Sequence, residues 1–76
     1  MNKARRKALK VILESVQDLR DQLELLHDEE EEYRESIPEN LQSSEKYEKA
    51  DAAVYALSEA VESLENAAAE IESAME

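Results

Sequence analysis

Pro38-Glu39-Asn40-Leu41-Gln42-Ser43-Ser44 holds the only proline of a 76-residue chain that has no glycine. Proline pushes the residue before it out of helical geometry, so a helix arriving from the N-terminal side ends at Ile37. Pro38 to Leu41 can form one helical turn with proline at its start, and Ile37 and Leu41 are then expected to cover the end of whatever the chain builds there. Ser43 or Ser44 suits the N-cap of a following helix, with Glu45 favourable in its first turn.

Both arms flanking this break carry apolar residues at alternating spacings of three and four. In the first arm Leu9, Val16, Leu23, Glu30 and Ile37 occupy heptad position a, and Ile12, Leu19, Leu26 and Tyr33 occupy d. In the second, Tyr47, Val54, Val61, Ala68 and Met75 occupy a, and Ala50, Leu57, Leu64 and Ile71 occupy d. The spacing predicts helices over 3–36 and 44–75 with a turn over 37–43. Each helix would be about 50 Å long. Leu9 and Ile71, Val16 and Leu64, Leu19 and Val61, Leu23 and Leu57, and Tyr33 and Tyr47 are all equidistant from Asn40. Every such layer joins an a position to a d position, which is the pairing of two antiparallel helices. The expected fold is an all-α antiparallel two-helix hairpin, coiled-coil-like, in a single domain.

One hairpin has one seam, and small chains seldom bury enough apolar surface alone to offset chain entropy. A second surface is therefore expected to be covered. The g and c flank is small or apolar: Ala8, Val11, Ser15, Gln22 and Leu25 on the first helix, and Ala53, Ala56, Ala60, Ala67 and Ala74 on the second. An alanine every seven residues lets another helix approach closely, with Val11 and Leu25 as knobs. These residues predict a homodimer, two hairpins forming a four-helix bundle. The opposite flank is polar and includes Arg20, Glu24, His27, Glu31, Arg34, Asp51, Glu65 and Glu72.

The net charge is −11, unevenly placed. Residues 1–10 hold five basic and no acidic side chains; residues 11–76 hold four basic and twenty acidic. Direct nucleic-acid binding is disfavoured, since phosphate contacts need clustered Lys and Arg. The basic start, Lys3 to Lys10, is expected to pair with the acidic end of the second helix, Glu65, Glu70, Glu72 and Glu76. No apolar run reaches the roughly 20 residues of a membrane span. Lys10 and Glu14 interrupt any signal-peptide core, so a cytoplasmic protein is expected. With no cysteine, neither a disulfide nor a thiolate metal site can form.

Catalytic chemistry has few candidates. One histidine and scattered serines supply no nucleophile–base pair, and there is no glycine-rich phosphate loop. Glu24-Leu25-Leu26-His27 has the Glu-x-x-His spacing of di-iron bundles, but both ligands fall on the polar flank with only Asp51 nearby. A carboxylate–histidine metal protein is a minor alternative. His27 is better read as a solvated helix residue paired with Asp51 or Glu31. No cofactor and no enzymatic activity is expected.

Asn2-Lys3-Ala4-Arg5-Arg6-Lys7, the acidic run ending in Tyr33, and Ile37 to Glu45 together resemble short acidic helical-hairpin hypothetical proteins of prophages and mobile elements of Gram-positive bacteria. The resemblance implies a phage or mobile-element setting and brings no functional residues. A rigid acidic rod could imitate a nucleic acid and occupy the basic groove of a host defence protein, or of another nucleic-acid-binding protein, through carboxylates spaced like phosphates. The candidate contacts are Asp28, Glu29, Glu30, Glu31, Glu32, Glu35, Glu59, Glu62, Glu65 and Glu70, with Tyr55 as an outward aromatic anchor. The rival reading is a dimerising assembly scaffold whose charge serves solubility.

Overall fold

Asn2 starts the first helix because its side chain satisfies a free backbone donor: Oδ1 accepts from the Arg5 N–H at 2.8 Å. In the computed structural model, which describes residues 1–76, helix α1 then runs Lys3–Glu35 without interruption. Its end is closed twice over. The Ser36 N–H donates to the Glu32 and Tyr33 carbonyls at 3.0 and 3.1 Å, and its Oγ donates to the Tyr33 carbonyl at 2.6 Å. Ile37 leaves the helix ahead of Pro38, and a single 3-10 turn, Glu39–Leu41, reverses the chain. No residue has positive φ, so the reversal needs no glycine. Ser44 caps the second helix, α2, Glu45–Met75; its Oγ accepts from the Tyr47 N–H at 3.3 Å. Ser44→Ala is expected to cost about 1 kcal/mol in urea unfolding, and Ser43→Ala close to nothing.

The two helices lie side by side as a helical hairpin measuring 59 × 14 × 13 Å. Burial is concentrated at the loop end, where Ile37, Ala50 and Val54 are the only buried residues. Leu41, expected to share in covering that end, stays half exposed, and Ile37 closes it alone. Along the rest of the rod the seam is only half-buried.

α1 is turned from the expected a/d contact. Its less exposed residues are Leu9, Leu13, Val16, Arg20, Leu23, His27, Glu30 and Arg34, which are positions a and e. Positions a and e are centred about 50° from a and d at 100° per residue. α2 instead turns in a, d and the g alanines Ala53, Ala60 and Ala67. Two features account for the rotation. Small residues at g widen the face α2 offers. On the e edge, Arg34 Nη1 reaches Asp51 Oδ1 at 2.8 Å and Arg20 Nη1 reaches Glu65 Oε1 at 3.9 Å, which draws that edge of α1 against α2. Consequently Ile12, Leu19 and Leu26, expected inside the seam, are 49%, 52% and 52% exposed. Tyr33 also leaves the expected tyrosine layer; its ring carries the Lys46 ammonium 5.7 Å from its centre.

Candidate interaction surface

Rotating α1 leaves five of its large apolar residues, Val11, Ile12, Leu19, Leu25 and Leu26, on one open side. Val11 and Leu25 at c are 60% and 61% exposed, and Ile12, Leu19 and Leu26 at d adjoin them. Ala8, Ser15 and Gln22 at g are exposed between these two lines. Ser15 Oγ turns back to the Val11 carbonyl at 3.3 Å, and the Gln22 amide donates to Asp18 at 2.7 Å, so neither polar group reaches outward for a partner. On α2, Ala56 and Ala74 are exposed, while Ala53, Ala60 and Ala67 are partly covered. The g/c flank read from the sequence is thus open on α1, whereas on α2 its g alanines Ala53, Ala60 and Ala67 turn toward the hairpin seam instead, because their small side chains admit α1. Ile12, Leu19 and Leu26 belong to the open side of α1 as well.

The hairpin exposes 5758 Å², whereas a compact 8.7-kDa chain exposes about 4,700 Å². The excess, about 1,000 Å², is that of a thin rod, 59 × 14 × 13 Å, which buries little of its own surface.

The acidic candidates occupy other faces. Asp28, Glu29, Glu31, Glu32 and Glu35 are exposed along the last turns of α1, and Glu30 is half-buried beside α2. Glu59, Glu62, Glu65 and Glu70 are exposed on α2, and Tyr55 is 70% exposed. Glu31 and Tyr55 come together in one shallow cleft with His27, Arg34, Asp51 and Ser58. Glu65 lines a second cleft with Gln17, Arg20 and Glu72. The remaining carboxylates are spread along the rod and do not converge.

Several of these charges are partly neutralised within the hairpin. Arg34 Nη2 meets Glu35 at 2.9 Å while Nη1 holds Asp51, and its Nε is buried without an acceptor. The Glu35 hydrogen bond holds the guanidinium above its usual range against desolvation, with Asp51 adding to the effect. Arg20 is likewise held high, mainly by its hydrogen bond and proximity to Asp21, with Glu65 and Glu24 contributing. His27 contacts Asp28 at 3.0 Å and Glu31 at 3.6 Å. Asp51, an expected partner of His27, is engaged by Arg34 instead, because the longer arginine spans the gap between helices. No three His, Asp or Glu side chains converge as a metal-ligand set, Glu24 and His27 included.

The expected pairing of Lys3 to Lys10 with the acidic end of α2 is not formed. Glu65 pairs with Arg20, and none of Lys3, Arg5, Arg6, Lys7 or Lys10 has a carboxylate within 4.0 Å. Lys3, Arg6, Lys7 and Lys10 gather around Met75, where the nearby helix end offers an apolar residue in place of an anion. Neither helix is long and apolar enough to cross a membrane. Comparison with protein-family models, with curated proteins and with solved structures gave no match.

Proposed function

We propose that this chain is a non-enzymatic protein–protein interaction module, in which hairpins self-associate through the open apolar side and present an acidic outer surface to a basic protein. The observation that carries this reading is the division of labour around the rod. Val11, Ile12, Leu19, Leu25 and Leu26 lie half or more exposed on one side, while the carboxylates of Glu59, Glu62 and Glu70 stand on α2 with no cation beside them. Apolar area removed from water stabilises association, at about 25 cal/mol per Å². A net charge of −11 per chain then draws in cationic partners and repels nucleic acid.

In this reading the partner is a protein with a basic groove that normally holds nucleic acid, and the module inhibits it by occupying that groove. The resemblance to prophage-encoded chains points to a host defence protein. The exposed apolar residues of α1 also favour a second reading, a dimerising scaffold for phage or mobile-element assembly in which the carboxylates keep the bundle soluble.

Competition separates the two. Tagged protein is used to capture partners from host lysate, and captured proteins are challenged with duplex DNA or with ~0.5 M salt, which screens exposed charges beyond a few Å. Under the mimicry reading nucleic-acid-binding proteins are captured and released by both treatments. Capture that neither DNA nor salt disturbs, or no nucleic-acid-binding protein at all, contradicts mimicry and leaves the scaffold.

A further inference from the structure

We propose that two hairpins pair antiparallel through α1, with a two-fold axis running between the copies level with the midpoint of Asp18 and Leu19, so that the basic start of each copy lies on the acidic stretch of the other. The inference rests on the self-association proposed above and specifies its geometry.

Its basis is a symmetry of the open side. A two-fold rotation about a point midway between residues 18 and 19 exchanges Val11 with Leu26, Ile12 with Leu25, and Ser15 with Gln22. Positions c and d change places, and g maps onto g. The flanking apolar pairs are therefore self-complementary about that point, the requirement for an interface that uses one patch twice, while Leu19 meets Asp18 at the axis and Ala8 meets Glu29 farther out. The charges obey the same rotation independently. Arg5, in line with Ile12 and Leu19 at d, falls on Glu32, in line with Val11 and Leu25 at c. Lys7 falls beside Asp28, both at the neighbouring f position. Asp18, next to the axis, is held along its own helix by the Gln22 amide at 2.7 Å. The cations involved have no carboxylate partner within their own hairpin, so pairing with a second copy breaks nothing.

The parallel alternative meets repulsion. Residues 28–48, around the loop end, hold nine acidic and two basic side chains. Residues 1–10 and 66–76 at the open end hold five basic and three acidic. Parallel hairpins would set two strongly negative loop ends together, whereas antiparallel hairpins set each against a positive end. Like charges placed together select against the wrong arrangement as effectively as matched ones favour the right one.

Cysteine cross-linking of this cysteine-free chain tests the geometry. Arg5→Cys and Glu32→Cys chains are mixed and equilibrated in a thiol–disulfide buffer, and the mass of the unmodified chain is measured by sedimentation. The expected result is a dimeric mass, with the mixed disulfide several-fold more abundant than either self-linked product. In cysteine-free chains, Arg5→Glu is expected to weaken the dimer about tenfold, since two symmetry-related surface pairs each worth tenths of a kcal/mol become repulsive. Adding Glu32→Arg to the same chain is expected to restore the affinity. A dimeric mass with no excess of mixed product, or with Arg5→Cys linking mainly to itself, overturns the orientation while leaving self-association standing. A monomeric mass overturns self-association itself and leaves the apolar side to a different protein.

Discussion

Replacing Val11 and Leu25 together by glutamate is expected to leave the hairpin monomeric and to lower its helix content at dilute concentration. Each side chain is already half or more exposed in the single hairpin, so its remaining burial on association is worth about 1 kcal/mol. Each residue enters the interface twice in a symmetric dimer. The lost burial alone therefore raises the dissociation constant about a thousandfold. The introduced carboxylates add to this, because a charge taken out of water without a partner is strongly disfavoured. Sedimentation of the double variant checks the result, with Glu59→Gln and Glu62→Gln on α2 as a control that keeps the dimeric mass. An unchanged mass for the glutamate variant would refute the assignment of this side.

Ile37→Ala is expected to give the largest loss of stability from a single substitution, about 2–4 kcal/mol by urea unfolding at fixed protein concentration. Ile37 is the largest of the three buried side chains, and it alone closes the loop end, since Leu41 does not share the task. Its neighbourhood has little capacity to collapse around a smaller residue. The Ser36 cap fixes the chain before it, and Pro38 fixes the chain after it. For a chain of this size such a loss is a large part of the total stability. Ile37→Val, which keeps the branched shape, is expected to cost about 1 kcal/mol. A loss below about 0.5 kcal/mol for Ile37→Ala, the range of ordinary surface changes, would contradict the described packing.

How far the sequence discloses this molecule differs from element to element. The hairpin is legible because helix periodicity, proline geometry and capping by Asn2 and Ser44 are local properties of consecutive residues. The mirror relation of the two heptad seams about Asn40 adds the direction of the fold-back. The rotation of α1 is not legible in the same way. A heptad lists apolar positions, but which edge turns inward depends on pairs far apart in sequence, such as Arg34 with Asp51 and Arg20 with Glu65. Those pairs lie on the polar flank, and polarity alone does not say that Arg20 and Arg34 turn toward α2 while Leu19 and Leu26 stay exposed.

The open apolar side shows the same limit. Its g and c residues on α1 follow from their small or apolar character, whereas Ile12, Leu19 and Leu26 also satisfy the d pattern of an inner seam. One stripe of α1 serves two possible contacts, and only the three-dimensional rotation shows which one the hairpin leaves unfilled. For the charges, opposite signs at one end predict a contact of Lys3 to Lys10 with Glu65, Glu70, Glu72 and Glu76. In the structure these groups share an end without touching.

Sedimentation equilibrium of the unmodified chain, with small-angle scattering on the same sample, tests the central claim most directly. The account predicts twice the 8.7 kDa of one chain and a maximum dimension still near the 59 Å of the single hairpin, because the second copy lies alongside the first. A mass of one chain across the concentration range, or a doubled mass in a particle about twice as long, would contradict it.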